Sequence, residues 1–215
     1  MKNITIFEDN LNKFDNHSYR PALFLDRDGV IIKDLNYISD PNDVTLEGGI
    51  LELLFNAYIA DWKVVVITNQ SGISRGFFDW SDYEKVTRQM MKLLGKPTKI
   101  SAIYANGFGP DDEDHNWRKP NPGMIIESAT RLNINLNESI LIGDRYSDLI
   151  AGLNAGVRFA YHVLTGNGKI EREKIILDAS SPKRLKYNDY AKILFIESLF
   201  DLDDSIFIKK PLQDI

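Results

Sequence analysis

Two carboxylates separated by a single residue follow an apolar run near the start of the chain. The run ends at Leu25, and Asp26, Asp28 and Gly29 come within the next four residues. Side chains two residues apart on an extended backbone point the same way, so both acids can reach one ligand. Carboxylates this close repel each other, and their hard oxygen ligands favour Mg²⁺ as the neutralising cation. Taken alone, the segment also fits a turn with two solvated Asp residues.

A second acidic cluster follows another apolar run. Gly143 and Asp144 come directly after Ile142, and Asp148 lies four residues beyond Asp144. Either acid alone is explained by a helix N-terminus, where the helix dipole favours negative charge. A helix N-terminus does not explain why Asp26 and Asp28 also follow an apolar run. The two acidic clusters together therefore favour a shared metal site.

Donors and cations suited to phosphate oxygens occur in two further segments. The first follows the apolar run 64–67 and consists of Thr68, Asn69, Gln70 and Ser71. The second consists of Arg118 and Lys119, placed before a turn that Pro120 and Pro122 stiffen. Structural turns and solvated basic loops use the same residue types. The four segments together nevertheless predict a nucleophile, metal carboxylates and a phosphate clamp.

Six short apolar runs, each ending near Gly, Asn or Asp, alternate with stretches of helical spacing. The predicted strands cover residues 22–25, 63–67, 100–104, 139–142, 157–163 and 193–196. Most runs are continuous, which is typical of parallel strands covered on both faces. The pattern predicts a doubly wound α/β fold that binds ligands beyond the carboxyl ends of its strands.

Helical spacing predicts four helices between these strands. The apolar stripe of the first helix consists of Ile50, Leu51, Leu54 and Tyr58. A capping box at Ser81 and Glu84 marks the start of the second helix. The third helix begins after Pro122 and ends at Leu132, the fourth covers residues 146–155, and Gly156 ends the fourth.

Composition and charge indicate one domain without a global positive field. The 215 residues are 43% hydrophobic, and the net charge of −5 argues against nucleic acid or anionic lipid as a partner. The absence of Cys excludes disulfides and thiolate zinc sites. No apolar run reaches the roughly 20 residues of a membrane span, and no signal peptide is evident. We expect a monomeric cytoplasmic protein with a polar surface arm at residues 1–20, one domain at 21–215, and a charged insertion at 167–192.

The four segments resemble the motifs of the haloacid dehalogenase (HAD) superfamily of phosphotransferases. The matching residues, in motif order, are Asp26 to Gly29, Thr68, Lys119, and Gly143-Asp144 with Asp148. From about residue 21 to residue 166 the chain is similar to the D-glycero-D-manno-heptose 1,7-bisphosphate phosphatases, with histidinol-phosphate phosphatases as relatives. The resemblance implies a Rossmann-like three-layer sandwich with a parallel sheet and no large cap domain.

The resemblance also implies a two-step hydrolysis of a small phosphorylated sugar, a heptose bisphosphate above all. Asp26 would attack phosphorus and form an aspartyl-phosphate, and Asp28 would act as acid and then as base. Mg²⁺ would be held by Asp26, the backbone carbonyl of Asp28, and Asp144. Thr68 and Lys119 would hold the transferring phosphoryl group. The implied substrate-binding residues are Asn36, Tyr37, Asn69, Gln70, Ser71, Arg118 and Arg145.

One departure from the heptose phosphatases concerns zinc. These enzymes usually carry a structural zinc loop with Cys and His before the Arg-Lys pair, whereas residues 105–117 here contain no Cys. We therefore expect no zinc, and interpret the acids in residues 111–115 as a solvated loop, with a metal site as the alternative.

Other functions remain as alternatives, and one of them is the activity of a histidinol-phosphate-type phosphatase. Polynucleotide 3′-phosphatases share a similar Asp-Arg-Asp-Gly and Thr-Asn-Gln pattern, but nucleic-acid binding usually needs a basic stripe. The only segment richer in basic residues contains Lys183, Arg184 and Lys186. A catalytically silent binding module is a further alternative, and the intact Asp26 and Asp28 argue against it.

Overall fold

The computed structural model describes residues 3–8, 19–96, 99–112, 116–179 and 192–207. Seven strands form one sheet: β1 (Asn3–Glu8), β2 (Ala22–Leu25), β3 (Lys63–Asn69), β4 (Ala102–Asn106), β5 (Ile140–Gly143), β6 (Phe159–His162) and β7 (Lys192–Phe195). Their spatial order is β1-β4-β3-β2-β5-β6-β7. The six strands from β2 to β7 are mutually parallel, and β1 pairs antiparallel with β4.

Five α-helices connect the parallel strands: α1 (Ile50–Ile59), α2 (Trp80–Leu94), α3 (Gly123–Leu132), α4 (Tyr146–Ala155) and α5 (Gly168–Ala179). Short 3-10 helices are also present at Pro41–Asp43, Leu136–Glu138, Leu199–Asp201 and Asp204–Phe207. No helix among these described residues is both long and apolar enough to cross a bilayer.

The sheet separates two apolar cores, as the alternation of side chains along β2 shows. Leu23 and Leu25 belong to one core, which includes the buried faces of α1 and α2. Phe24 belongs to the other core, to which α3, α4 and Ile175 of α5 contribute. Helices therefore cover both faces, and the predicted doubly wound α/β sandwich is confirmed.

The polar arm predicted at residues 1–20 is wrong for residues 3–8, which form β1. In this strand Ile4 pairs with Ala105 and Ile6 with Ile103 of β4. The strand satisfies backbone donors and acceptors that β4 would otherwise leave unpaired at the edge of the sheet. Residues 9–18 lie outside the described part of the chain.

The charged insertion predicted at residues 167–192 also needs correction. Residues 168–179 form α5, the crossover helix between β6 and β7, and Ile175 of that helix is buried. Long charged side chains on its exposed side gave the segment its polar composition. Residues 180–191, including Lys183, Arg184 and Lys186, lie outside the described residues.

Two details of the predicted helices are wrong. In α1 the buried side chains are Ile50, Leu53, Leu54 and Ala57, whereas Leu51 and Tyr58 are exposed. The capping box of α2 is formed by Asp79 and Asp82, not by Ser81 and Glu84. The predicted bounds of α3 and α4 agree with the structure within one residue, and Gly156 ends α4 with a φ of 88°.

Candidate active site

The predicted site residues meet at the carboxyl ends of β2, β3 and β5. In the sheet, β2 lies between β3 on one side and β5 on the other. The connections from these strands run in opposite directions, so a crevice opens at the carboxyl end of β2. A cavity of about 610 Å³ lies there. Ten of the predicted residues line it: Asp26, Asp28, Asn36, Tyr37, Asn69, Gln70, Ser71, Arg118, Lys119 and Arg145. The other two, Thr68 and Asp144, are buried.

Three buried carboxylates form the floor of the site. Asp26, Asp144 and Asp148 each offer an oxygen, and these atoms lie within 4.8 Å of one another. Two loops close over Asp144 at glycines in left-handed backbone conformations, Gly29 at φ 85° and Gly166 at φ 53°. A Cβ on Gly29 would lie 2.6 Å from Asp144 Oδ2, and one on Gly166 would also overlap that oxygen. Only glycine permits this close approach.

Two of these acids, Asp26 and Asp144, resist ionisation in this arrangement. Burial, with the charges of Asp148 and Asp28, raises the pKa of Asp26 to about 7, against the opposing effect of Lys119. Burial, with the charges of Asp148 and Asp26, raises the pKa of Asp144 to about 8. The cluster therefore holds more negative charge than its protein partners neutralise.

Lys119 is the cation that reaches into the cluster. Its Nζ lies 2.9 Å from Asp26 Oδ1 and 2.7 Å from Asp148 Oδ1, and it donates to the backbone carbonyl of Ile67 at 2.9 Å. Burial alone would lower the pKa of Lys119, but the two carboxylates raise it, so the side chain stays charged. Lys119 thus balances the charge of one acid, and Asp148 is its closest partner.

The remaining acids fit a hard divalent cation. Asp144 Oδ2 accepts from the backbone N–H of Asn167 at 2.7 Å, whereas its buried Oδ1 has no hydrogen-bond partner in the part of the chain that the structure describes. A buried carboxylate oxygen without a donor is costly unless a cation binds it. Lys119 contacts Asp148 at 2.7 Å and Asp26 only through Oδ1, so Asp144 and the other oxygen of Asp26 are the groups most available to a metal.

Asp28 lines the cavity, and two protein side chains donate hydrogen bonds to its carboxylate. Arg27 Nη2 donates to Asp28 Oδ1 at 3.0 Å, and Gln70 Nε2 donates to Asp28 Oδ2 at 2.8 Å. Gln70 Nε2 also donates to Thr68 Oγ1 at 2.8 Å. The Gln70 amide therefore contacts protein groups at the edge of the cavity, although the sequence predicted a substrate-binding role.

Asn69 is likewise engaged with the protein. Its Nδ2 donates to the carbonyl of Lys119 at 3.0 Å, and its Oδ1 accepts from the N–H of Lys119 at 3.1 Å. This pair of hydrogen bonds fixes the backbone that carries the Lys119 ammonium. Ser71 lines the cavity beside it.

An aromatic side chain with an unusual backbone forms one rim. Asn36 and Tyr37 have φ values of 55° and 61°, a conformation that is rare outside glycine. The Tyr37 hydroxyl accepts from Arg75 Nη1 at 2.6 Å, and the ring packs on Phe77 with centroids 4.8 Å apart. Strained residues held by their surroundings are concentrated at functional sites.

Two guanidiniums face the cavity from different sides. Arg118 Nη1 donates to the carbonyl of Phe108 at 2.9 Å, and burial together with Arg75 lowers the pKa of Arg118. Arg145 Nη2 donates to Asp34 Oδ2 at 3.1 Å. Burial opposes the charge of Arg145, but Asp144 and the other acids raise its pKa overall.

The sequence analysis missed several residues that shape the site. Asp34 and Asn167 line the cavity, and Asn167 Nδ2 donates to Asp34 Oδ2 at 2.6 Å. His162 Nε2 lies 3.0 Å from the carbonyl of Asp144, and His162 Nδ1 accepts from Arg172 Nε at 2.8 Å. Because Nδ1 is the acceptor, Nε2 carries the proton that holds Asp144. These contacts join residues on different structural elements, 10 to 133 residues apart, so local patterns give no signal for them.

The loop between β4 and the Arg-Lys pair is held by hydrogen bonds in its described part. The Asn106 amide donates to the carbonyl of Phe108 at 3.2 Å, and Asp112 Oδ2 accepts from the N–H of Gly109 at 2.6 Å. Trp117 Nε1 donates to Glu127 Oε2 at 2.9 Å. Residues 113–115 of the predicted acidic loop lie outside the described residues.

Comparisons with known proteins agree with this geometry. A family model described as HAD-hydrolase-like matches residues 116–187. A D-glycero-beta-D-manno-heptose-1,7-bisphosphate 7-phosphatase from Helicobacter pylori is 42% identical over 139 residues, which cover 64% of this chain and 80% of the relative. A phosphatase of the same name from Pasteurella multocida is 31% identical over 179 residues, covering 78% of this chain and 97% of the relative.

A solved structure extends the comparison to the fold. The D,D-heptose 1,7-bisphosphate phosphatase from B. bronchiseptica, crystallised with magnesium and phosphate, superposes with a TM-score of 0.70 at 30% identity. The superposition covers 83% of this chain and 93% of that one. The chain belongs to the HAD-like phosphatases, in the family that contains the heptose bisphosphate phosphatases.

Proposed function

We propose that this phosphatase removes the 7-phosphate of a D-glycero-D-manno-heptose 1,7-bisphosphate, with Mg²⁺ and through an aspartyl-phosphate on Asp26. The observation that carries the proposal is the placement of Asp26 in the cavity floor, 2.9 Å from Lys119 Nζ, with Arg118 and Arg145 lining the same cavity. Relatives at 31–42% identity bear the name of that activity.

The proposed chemistry begins at Asp26. One carboxylate oxygen attacks phosphorus, the bond to the sugar oxygen breaks, and the phosphoryl group is transferred to Asp26. Asp28, which the structure places at the cavity wall, gives its proton to the departing sugar oxygen. It then takes a proton from the water that hydrolyses the aspartyl-phosphate, which regenerates both carboxyl groups for the next cycle.

Fixed donors stabilise the charge that develops on the phosphoryl oxygens. Lys119 Nζ lies 2.9 Å from Asp26 Oδ1 and would supply an ammonium, and Thr68, in β3 beside β2, would supply a hydroxyl. Preorganised donors in a site that excludes water are worth several kcal/mol to the transition state. Asp26, Asp144 and the backbone carbonyl of Asp28 would hold Mg²⁺, which neutralises phosphate charge and orients the substrate.

The second phosphate of the substrate accounts for the cations at the rim. The charge of Arg75 is close enough to repel that of Arg118, and burial together with this repulsion lowers the pKa of Arg118. A dianionic phosphate between them would relieve that repulsion, and guanidinium groups bind phosphate through two parallel hydrogen bonds. A bisphosphate therefore matches the distribution of charge in the cavity better than a monophosphate.

Phosphate release from a panel of substrates tests the proposal. The panel contains both anomers of the heptose 1,7-bisphosphate, the heptose monophosphates, histidinol phosphate and a 3′-phosphorylated oligonucleotide, each with Mg²⁺ and with chelator. Both anomers are needed because relatives bear names with either the beta or the alpha configuration. We expect the highest kcat/KM on a heptose bisphosphate. A higher value on the oligonucleotide or on histidinol phosphate would overturn the proposed substrate.

A further inference from the structure

The guanidinium of Arg27, between the two acids of the first motif, is almost completely buried. Its side chain is 1% exposed. The residues before and after it in the sequence, Asp26 and Asp28, line the cavity. The guanidinium carbon lies 4.9 Å above the ring centroid of Tyr83. A buried cation needs a compensating partner because its desolvation is costly. In its ionised state, before it takes up the proton of the water, Asp28 supplies that partner, since Arg27 Nη2 and Asp28 Oδ1 are 3.0 Å apart.

Arg27 also fixes the orientation of an amide. Its Nη2 lies 3.1 Å from the Gln70 side chain. A guanidinium has donors and no acceptor, so the Gln70 atom that faces it must be the carbonyl Oε1. The amide nitrogen of Gln70 is thereby directed to the other side, where Asp28 Oδ2 and Thr68 Oγ1 both lie at 2.8 Å.

The consequence reaches the hydroxyl of Thr68. The Gln70 amide nitrogen has two hydrogens, and Asp28 and Thr68 each accept one. Thr68 Oγ1 is an acceptor in this contact, so its own hydrogen is not used on Gln70 and can be donated to a phosphoryl oxygen. If the amide were reversed, the Thr68 hydroxyl would donate to Gln70 and would be lost to the substrate.

We propose that Arg27 is a positioning residue that sets the direction of the hydrogen bonds joining Gln70, Asp28 and Thr68. Through this chain the proton-transfer group and a phosphoryl donor are held in working orientation by a side chain that is itself only 1% exposed. The proposal rests on the proposed function, because it concerns the acid role of Asp28.

Leaving-group dependence of kcat/KM tests the link to Asp28. The value of kcat/KM depends only on the steps up to the formation of the aspartyl-phosphate. A sugar alkoxide must be protonated as it leaves, whereas nitrophenolate leaves without a proton. Loss of the general acid therefore lowers kcat/KM mainly on the sugar phosphate. We expect Arg27→Met to lose about tenfold more kcat/KM on the heptose bisphosphate than on 4-nitrophenyl phosphate, in the direction of Asp28→Asn.

Two further variants separate positioning from folding. Arg27→Lys keeps the positive charge but lacks the two parallel N–H donors of the guanidinium. We expect it to lose more kcat/KM on the heptose bisphosphate than on 4-nitrophenyl phosphate, by a smaller factor than Arg27→Met. If Arg27→Met does not fold, Arg27→Lys is used for the test. Arg88→Met, on the exposed face of α2, removes an Arg of the same size from a solvent-exposed ion pair and should leave the ratio of the two substrates unchanged. Thermal unfolding is recorded for each variant.

A pair of substitutions at Gln70 tests the direction of the hydrogen bonds. Gln70→Glu preserves the shape but replaces the amide donors by acceptors, which draws the Thr68 hydroxyl away from the substrate and repels Asp28. Gln70→Met removes donors and acceptors together. We expect the lower kcat for the isosteric Glu substitution, whereas a packing role predicts the lower kcat for Met.

The outcomes distinguish this proposal from the proposed function. If Asp28→Asn loses the same factor on both substrates, the acid role of Asp28 is wrong and the role of Arg27 is wrong with it. If Asp28→Asn depends on the leaving group but the Arg27 variants lose equally on both substrates, Arg27 is structural and the positioning proposal alone is overturned. A lower kcat for Gln70→Met than for Gln70→Glu overturns the directional part.

Discussion

Replacing Asp148 by Asn should destabilise the fold through the buried ammonium of Lys119. The two groups are 2.7 Å apart, with side chains only 2% and 1% exposed. Removing one partner of a buried ion pair costs about 3–5 kcal/mol, because the other charge is left without compensation. Two effects reduce this figure here. Lys119 keeps Asp26 at 2.9 Å, and Asp148 no longer repels the other carboxylates. We expect a net loss of about 2–3 kcal/mol in the free energy of unfolding.

The chain contains a matched control at the same position of another helix. Asp148 and Asp82 are both the third residue of a helix, and each accepts from the backbone N–H of its N-cap residue. The oxygen of an Asn amide can still accept that hydrogen bond in either variant. Asp82 pairs with Lys85 at 3.1 Å in solvent, where screening makes an ion pair worth little. Asp82→Asn should therefore leave the free energy of unfolding nearly unchanged.

Urea denaturation in chelator measures both variants without a contribution from bound metal. The free energies follow from the midpoint and the slope of each transition. In a Lys119→Met background, the effect of Asp148→Asn on the free energy of unfolding should change sign. The substitution should then stabilise the protein, because without Lys119 the Asp148 carboxylate only repels Asp26 and Asp144. An equal loss for Asp148→Asn and Asp82→Asn, or a loss that persists without Lys119, would refute the reasoning.

Three further substitutions or treatments have definite expected results. Asp26→Asn should abolish phosphate release, because an amide is a poor nucleophile and a weaker metal ligand; turnover near that of the wild type in the purified variant would contradict the assigned role. Arg118→Ala should lose more kcat/KM on the heptose bisphosphate than on a monophosphate, and equal losses would move Arg118 to the reacting phosphoryl group or to structure. Chelator should remove activity and Mg²⁺ alone should restore it fully, whereas elemental analysis that finds about one tightly bound zinc per chain, with folding lost on its removal, would contradict the expected metal content.

Continuous apolar runs made the central sheet predictable. The bounds of β2 were predicted correctly because its four apolar residues, all buried, are followed directly by the polar residue Asp26. The strand β1 was missed because it lies in a segment dominated by polar residues, and its pairing with β4 depends on an edge that only the assembled sheet creates. Similarly, Leu53 and not Leu51 is buried in α1, because the orientation of a helix is set by what it packs against.

At the active site, motif residues were predictable and their supports were not. Asp26 and Asp144 stand out because acids directly after apolar strands are unusual for structural residues, and Lys119 because it stands beside Arg118 before a turn with two prolines. The roles of Arg27 and Asp34 depend on partners more than 40 and more than 100 residues away. A sequence pattern records spacing along the chain, so contacts formed by tertiary folding carry no local signature.

The saturated ammonium of Lys119 links the binding of two ions of opposite charge. Its three N–H groups face Asp26, Asp148 and the carbonyl of Ile67, so a phosphoryl oxygen gains a donor only by displacing one of these acceptors. Displacement of Asp26 leaves that carboxylate without its cation and increases its affinity for a divalent metal. Thermodynamic linkage then requires the metal to increase the affinity for the anion by the same factor. Inorganic phosphate should accordingly be a weak ligand of the metal-free protein and a stronger product inhibitor once the metal is bound.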